Sequence, residues 1–320
     1  MRNRRVLIVD SEDGYGGGSV YLKRYKKWLT EKGIDCSYIS IERGLSGYLK
    51  SLCIILRSWF KDDIEVRGTI PIDIAVLAAA RRSVGYVQSP ADYWSDKSRL
   101  IFKLACMAGM TEVRCVSETT FASIDKLYRI NNCKIEYAKI EASSDTGALC
   151  KRPGKDIVFV VLDQGNPDKG YYRHLAIVRE ATKISKTRVE IYGKEYGEAY
   201  KAITETHVNG FVEAPFCEAR NRYPECRLIY LGCSRYEGLH MAVVDSAGTR
   251  IPSILSDIPA HRELERICDS SLLISQERKT DITLIKRIVE DESVYMEQRR
   301  KCRMLADRFH ELSERVLVAR

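Results

Sequence analysis

The densest group of residues that could do chemistry is the stretch SRYEGLHMAVVDSAGTRIPSILSD at 234–257. It contains two carboxylates, Glu237 and Asp245, and Gly238 directly follows the first. A helix that begins just after Glu237 would present its unpaired first N–H groups beside that side chain, where they can hold hydroxyls or anionic groups. Asp245 would lie about two turns along the same face, because eight residues at about 100° each nearly return to the starting direction. Two acidic groups beside a row of donors suit a polyhydroxylated ligand.

This stretch resembles the nucleotide-sugar-binding signature of the family-four retaining glycosyltransferases of the GT-B fold, which carries Glu, seven residues and Glu in a similar phrase. The second carboxylate of this chain is Asp245, one methylene shorter than the glutamate of the family. The resemblance implies that Glu237 holds sugar hydroxyls and that Asp245 binds the ribose. It also assigns the residues after Glu237 to the binding of the donor sugar: Gly238 and, through their backbone N–H groups, Leu239, His240 and Met241. For the His240 side chain, a ligand contact and a satisfied structural histidine are both open.

A lysine after the first predicted strand of the second half is the next candidate. Lys169-Gly170, in LDQGNPDKGYYRHLAIV, resembles the Arg-x-x-x-x-Lys-Gly phrase of the family. The resemblance implies that Lys169 neutralises the departing diphosphate, which requires a strong positive charge. Gln164 stands where the family has its arginine, so one cation replaces two unless Arg173 or another basic residue compensates.

Glycines at 14–18 separate the first predicted strand from the first predicted helix. They do not complete a dinucleotide fingerprint, because Ser19 occupies the position of its third glycine. The resemblance places Gly16, Gly17 and Gly18 in the ligand cleft, where missing side chains let N–H groups approach a diphosphate. An ordinary tight turn is the alternative.

Three further sites follow predicted strands. The resemblance implies that Gly193, and Phe211 with Val212 after another strand, frame the nucleotide base by backbone contacts. Gln88 ends a strand where many family members place a histidine at the cleft. Because a glutamine cannot act as a general base, a requirement for a protein base there is absent or is met by the departing phosphate.

The chain alternates buried strands with helices. Arg5 to Asp10 predicts a strand, Val20 to Lys32 a helix with Gly33 at its C-cap, and Ile34 to Ile41 a second strand. These elements form a βαβ unit. The alternation continues with a helix predicted at 73–81 and strands at 84–88, 188–192, 208–212, 227–231 and 252–255.

A charged break with Pro and Gly at 151–156 precedes a fresh strand at 157–162. We therefore predict two Rossmann-like, doubly wound α/β domains that face a cleft, at 1–150 and 151–320. The resemblance implies that the first binds the acceptor and the second the nucleotide sugar. The resemblance implies that the last helix, within 290–317, crosses back onto the first domain.

Composition limits the function. A chain of 320 residues has room for two cores, and a net charge of +8 favours an acidic partner. Eleven cysteines without a Cys-x-x-Cys pair, and no signal-like start, predict reduced thiols in a cytoplasmic protein. No uncharged stretch approaches the roughly 18 residues of a spanning helix, so we expect any membrane contact to be peripheral. The segment from Leu45 to Lys61 combines apolar and basic residues, which is consistent with a core helix or with a helix on an anionic membrane.

The resemblance implies a retaining glycosyltransferase that moves a sugar from a nucleotide diphosphate sugar to a hydroxyl of a cell-envelope glycan or glycolipid, and the composition is compatible with it. No metal is expected, because Lys169 and helix N-termini neutralise the diphosphate and no Asp-x-Asp pair is present. A transferase acting on nucleic acid is disfavoured because the basic residues are dispersed. A non-catalytic nucleotide-sugar-binding subunit is the other alternative, suggested by Gln164, Gln88 and Asp245. The broken fingerprint disfavours a Rossmann oxidoreductase.

Overall fold

The protein forms two parallel β-sheets, each flanked by helices. The computed structural model describes residues 5–10, 17–41, 45–60, 64–69, 80, 82–130, 132–138, 153–163, 167–193, 197–269, 271–274 and 278–318. The chain divides into two compact units, Met1–Glu141 with Leu312–Arg320, and Ala142–Glu311. The boundary predicted between 150 and 151 lies outside the described residues.

The sheet of the first unit has six parallel strands in the order β2-β1-β3-β4-β5-β6. The strands are β1 Arg5–Asp10, β2 Asp35–Ser40, β3 Ile64–Thr69, β4 Ser83–Val87, β5 Glu112–Cys115 and β6 Cys133–Ile135. The helices are α1 Gly17–Glu31, α2 Leu45–Phe60, α3 Asp96–Met107 and α4 Glu118–Tyr128. The helix predicted at 73–81 lies almost entirely outside the described residues.

Helix α1 packs on the sheet through a stripe of buried side chains, Tyr21, Leu22, Tyr25 and Leu29. The spacing of these residues keeps them on one face of a 3.6-residue helix. The helix begins at Gly17 and not at Val20, so Gly17 and Gly18 lie in its first turn and not in a loop.

The sheet of the second unit also has six parallel strands, in the order β12-β11-β10-β7-β8-β9. They are β7 Ile157–Asp163, β8 Thr187–Gly193, β9 Glu205–Asn209, β10 Arg227–Gly232, β11 Ser253–Ser256 and β12 Ser271–Ile274. The helices are α5 Tyr171–Ala181, α6 Gly197–Lys201, α7 Pro215–Arg222, α8 Met241–Gly248, α9 Pro259–Ile267, α10 Arg278–Glu290 and α11 Glu292–Val318.

This strand order creates a switch point between β7 and β10. The chain builds outward from β7 to β9 on one side and then starts again with β10 on the other side. In open α/β sheets, ligands bind outside the carboxyl ends of the strands at such a point. The loops that follow β7 and β10 are therefore the first place to look for a site.

The strands at this switch point are buried on both faces. β7 reads IVFVVLD, and its residues Ile157 to Val161 are at most 2% exposed. A continuous apolar run is typical of a parallel strand covered by helices on both sides. A rigid core of this kind fixes where the two loops begin.

The last helix, α11, is divided between the two units. α11 begins in the second unit, and its residues from Leu312 onward cluster with the first. The Trp28 indole Nε1–H donates to Glu314 Oε1 at 2.7 Å, and Lys32 Nζ lies 3.2 Å from Glu314 Oε2. The predicted return of the last helix to the first domain is confirmed.

Candidate functional site

An ion pair joins the two loops at the switch point. Lys169 ends a short 3-10 helix, Pro167–Lys169, after β7, and Glu237 lies in the turn after β10. The distance between Lys169 Nζ and Glu237 Oε1 is 2.5 Å. The structure thus brings together the two residues that the sequence assigned to diphosphate and sugar.

The Glu237 carboxylate is well supported by its neighbours. Ser234 Oγ donates to Glu237 Oε1 at 2.7 Å, and the carboxylate side chain is 13% exposed. Burial raises the pKa of Glu237, but the Lys169 ammonium and the hydrogen bonds from Lys169 and Ser234 lower it below its usual range. The group is therefore an anion at neutral pH.

A glycine allows the two loops to approach. Gly170 has a φ of 81°, and a Cβ built on it would lie 1.9 Å from the Cys233 carbonyl oxygen. The Arg235 N–H donates to the Asp168 carbonyl at 2.8 Å, which ties the same loops through the backbone. Tyr236 adds a hydroxyl contact with Asp168 Oδ2 at 3.3 Å. Any side chain at 170 would push Lys169 away from Glu237.

The His240 side chain is structural. Its Nε2 lies 2.8 Å from the Tyr230 hydroxyl and its Nδ1 lies 2.7 Å from His261 Nε2. Burial lowers the pKa of His240 to about 3, so the imidazole is neutral at neutral pH. The positive charge beside Glu237 is then that of Lys169. Of the two alternatives for this side chain, the geometry supports the satisfied histidine.

Helix α8 begins later than predicted, at Met241 and not just after Glu237. His240 is the N-cap, with non-helical φ and ψ of −81° and 81°, because its ring is fixed by Tyr230 and His261. The expected two-turn relation between Glu237 and Asp245 is therefore wrong. Asp245 lies within α8 and is half-buried.

The backbone N–H groups of Leu239, His240 and Met241 differ in whether they have a backbone acceptor. The Met241 N–H donates to the Leu239 carbonyl at 3.0 Å, which engages one of the three donors predicted for the ligand. The N–H groups of Leu239 and His240 have no backbone acceptor among the described residues. These two amides remain the predicted donors.

The remaining predicted residues lie in separate places. Gly193 ends β8, and the exposed Phe211 and Val212 follow β9, at the same edge of the sheet as Lys169 because all strands are parallel. Gln88 follows β4 in the first unit, and its Nε2 is buried without a hydrogen-bond partner among the described residues. Gly17 and Gly18 open α1, whereas Gly16 and Gln164 lie outside the described residues.

Four residues that support the site were not predicted. They are Asp168, Tyr230, Ser234 and His261. Ser234 contacts Glu237 within the same turn, whereas the other three act through a contact with a residue from another loop or element. For Ser234 a signal exists, since it lies three residues before Glu237 in the same phrase. For Asp168, Tyr230 and His261, no spacing in the sequence indicates which residue each of them contacts.

No protein-family model and no curated protein matches this sequence. Solved structures are similar over nearly the whole chain. HepE of Anabaena in complex with UDP and glucose is 14% identical, with 99% of each chain covered and a TM-score of 0.76. WaaG, a glycosyltransferase involved in lipopolysaccharide biosynthesis, is 11% identical, with 97% of this chain and 98% of WaaG covered and a TM-score of 0.70. Sucrose-phosphate synthase of Thermosynechococcus elongatus is 10% identical, with 99% and 100% covered and a TM-score of 0.71.

These similarities and the two doubly wound sheets define the class. The chain has the GT-B fold of glycosyltransferases, as the sequence predicts. Within the described ranges, no helix has the length and apolarity needed to cross a bilayer. The described side chains also include no group of three or more His, Cys, Asp or Glu residues arranged to hold a metal ion.

Proposed function

We propose that the protein is a retaining glycosyltransferase that transfers a sugar from a nucleotide diphosphate sugar to an acceptor hydroxyl. The observation that carries this proposal is the Lys169–Glu237 pair at the β7/β10 switch point. One cation and one anion at the same edge match the two halves of such a donor, a diphosphate and a polyhydroxylated sugar. Crystal structures of HepE with UDP and with UDP-glucose support a donor of this class.

Each residue has a role in the transfer. Lys169 binds the diphosphate and stabilises the negative charge that develops as the bond from the anomeric carbon to the phosphate oxygen breaks. Glu237 accepts hydrogen bonds from sugar hydroxyls, with the Leu239 and His240 amides beside it, and Asp245 binds the ribose. The acceptor oxygen bonds to the anomeric carbon, and its proton passes to the departing phosphate oxygen.

We propose that this site needs no metal ion. Lys169 is positioned to supply the positive charge that the departing diphosphate requires, and Arg173 lies in the first turn of the helix that follows it. Lysine side chains and backbone amides bind phosphate groups in other proteins. Transfer that is unchanged by a chelator would support this part of the proposal, and loss of transfer restored by Mg²⁺ would contradict it.

Helix α2 supports an acceptor at a membrane surface. Its residues Leu49, Leu52, Leu56, Trp59 and Phe60 are between 51% and 86% exposed, and the helix contains no acidic residue. Lys50 and Arg57 are exposed on the same helix, while Ser51 and Ile54 face the core. An exposed apolar stripe with basic neighbours is typical of a helix that lies on an anionic bilayer. We propose a glycan or glycolipid acceptor at the inner face of the membrane, reached by peripheral binding.

The direct test is a donor screen with the purified chain. Nucleoside diphosphates and their sugars, with UDP and UDP-glucose first, are titrated by calorimetry, and donor hydrolysis is followed without acceptor. Tight binding with slow hydrolysis supports the proposal, and an anomeric configuration that is conserved in the product supports retention. Binding without hydrolysis or transfer to any glycan would identify a non-catalytic subunit. Binding of duplex DNA without nucleotide-sugar binding would overturn the proposal.

A further inference from the structure

A buried chain of side chains lies behind the Glu237 turn. It runs from Tyr230 on β10 through His240 to His261 on α9, and ends at the Ser256 carbonyl on β11. The distances are 2.8 Å, 2.7 Å and 2.6 Å in that order. Both imidazoles are buried and stack with ring centroids 4.9 Å apart.

The Ser256 carbonyl at the end of this series of hydrogen bonds determines which atom carries the proton in each of them. A carbonyl oxygen can only accept, so His261 Nδ1 carries the hydrogen that it donates to Ser256. In a neutral imidazole the other nitrogen then accepts, so His240 Nδ1–H donates to His261 Nε2. His240 Nε2 is left as an acceptor, and the Tyr230 hydroxyl donates to it. Burial lowers the pKa of both histidines, so the chain stays neutral in this arrangement at neutral pH.

The same strand end connects to Glu237 by a second route. Ser256 Oγ donates to the Ser234 carbonyl at 2.5 Å, and Ser234 Oγ donates to Glu237 Oε1. His240 Nε2 itself lies 3.9 Å from Glu237 Oε1. The turn that carries Glu237 is therefore held at both ends, by Ser234 before it and His240 after it.

The His240 ring packs directly against Gly232. A Cβ built on Gly232 would lie 2.8 Å from His240 Cε1. The ring thus fills the space that the glycine leaves, between β10 and α9. Without His261, the His240 Nδ1–H would be buried and unpaired, which is costly enough to favour another conformation of the turn.

We propose that His261 is a positioning residue for the donor sugar. It acts through His240 by accepting the Nδ1–H bond, which holds the 237–241 turn and directs Glu237 toward the sugar. This inference rests on the proposed function. Lys169 pairs with Glu237, but the backbone of its loop is held by Gly170 and Asp168 through contacts that do not involve His261. We therefore expect diphosphate binding to depend on this network much less than sugar binding does.

Three variants of His261 test whether it affects binding of the sugar but not binding of the diphosphate. His261→Gln keeps an acceptor near the Nε2 position, His261→Asn keeps only a donor near the Nδ1 position, and His261→Phe keeps the ring without either. We expect UDP affinity within about twofold of wild type in all three. UDP-glucose affinity should fall about tenfold in the Asn and Phe variants, the effect of one buried hydrogen bond, and be largely retained in the Gln variant. The exposed His207, changed to Gln, is the control.

Two results would overturn the inference. One is an unchanged ratio of UDP-glucose to UDP affinity in both the Asn and Phe variants. The other is an equal loss for both ligands together with a lower melting temperature, which would mean a purely structural role. If wild type binds neither UDP nor any other nucleoside diphosphate or its sugar, the proposed function fails, and the inference with it.

A second measurement needs no ligand and no variant that must fold. The ¹⁵N chemical shifts of the histidine side chains report which ring nitrogen carries the proton. We expect the Nδ1–H tautomer for both His240 and His261 at pH 7. An Nε2–H tautomer at either residue contradicts the proton order and overturns the proposal.

Discussion

At the scale of single residues, the Glu237 carboxylate has two kinds of partner. Lys169 contributes a full charge and is 31% exposed, whereas Ser234 contributes a neutral hydrogen bond. A partly exposed ammonium can exchange one anion for another without being left in an apolar environment. The Lys169 ammonium can therefore bind a diphosphate, while the Ser234 hydroxyl keeps Glu237 in place.

Replacing Lys169 should weaken diphosphate binding. A charge-assisted contact is worth about 1.5–3 kcal/mol, so Lys169→Met should reduce UDP affinity roughly ten- to a hundredfold. Calorimetry with UDP measures this effect. Lys183→Met, which removes an exposed lysine paired with Glu180, is the matched control. Equal affinity in the Lys169 variant and wild type would mean that the diphosphate binds elsewhere.

Glu237→Gln should keep the fold and lose most transfer. The amide retains the size and can accept from Ser234, but it lacks the negative charge that binds sugar hydroxyls and pairs with Lys169. We expect kcat to fall by about a hundredfold or more, the loss typical of one charged group in a transition state. Glu198→Gln, at an exposed ion pair, is the control. Wild-type turnover in Glu237→Gln would remove this residue from the site.

Stability should decrease in acid because of a buried histidine. His174 Nε2 accepts from the Cys233 N–H at 3.2 Å, and burial lowers the pKa of this imidazole to about 3. The unfolded chain protonates histidine near pH 6.5. Between these values the unfolded state holds more protons, so the free energy of unfolding falls as the pH decreases from about 6.5 toward 3.

His174→Gln, which keeps an acceptor, should reduce the loss between pH 7 and pH 5 by about 1–2 kcal/mol. Urea denaturation at both pH values measures the difference. His207→Gln is the exposed control and should change nothing. The same pH dependence in wild type and His174→Gln would show that His174 is not the residue responsible.

At the scale of elements, the alternation of strands and helices could be predicted because a parallel strand needs a continuous apolar run and each helix an apolar stripe. The starts of α1 and α8 were predicted less well. At α8 the competing influence is the fixed ring of His240, which depends on Tyr230 and His261 from two other elements. Glu237 and Lys169 could be identified because each lies in a phrase that resembles one of the family. Local spacing cannot predict a contact between side chains that only the folded sheet brings together.

Helix α2 should bind anionic vesicles in a salt-sensitive manner. Its basic residues attract the lipid surface over a screening length of about 8 Å at physiological ionic strength, and its apolar stripe then inserts. Co-sedimentation at low salt measures binding, and Lys50→Glu with Arg57→Glu should abolish it. Lys61, the third basic residue predicted to contribute, lies outside the described residues.

The control for α2 is Lys183→Glu with Lys201→Glu, which makes the same change in net charge on exposed residues of the second unit. It should leave vesicle binding intact. Wild-type protein that stays in the supernatant at low salt, or equal loss in both double variants, would contradict a docking role for α2.

At the scale of the whole molecule, the first unit is built from two distant parts of the sequence. Residues from Leu312 complete it, and Glu314 bonds to Trp28 and pairs with Lys32 on α1. The indole bond to a carboxylate is part-buried, whereas the lysine pair is more exposed and contributes little.

Glu314→Ala should lower the free energy of unfolding by about 1–2 kcal/mol, mainly through the lost bond to the Trp28 indole. Urea denaturation followed by tryptophan fluorescence measures this change. Glu290→Ala, at an exposed position of α10, is the control. Equal stability of the two variants would show that the Trp28–Glu314 bond does not hold the end of α11.

The same discontinuity sets an order of events during synthesis. A ribosome makes the N-terminal residues of the first unit before any of the second, yet the segment from Leu312 that finishes the first unit is made after the second. The second unit is one uninterrupted stretch, Ala142–Glu311, and all of it is available earlier. Domains generally fold as units during translation. In this chain the unit that starts first is therefore completed only after the second unit has been made, and α1 gains its contact with the carboxylate of Glu314 only at that stage.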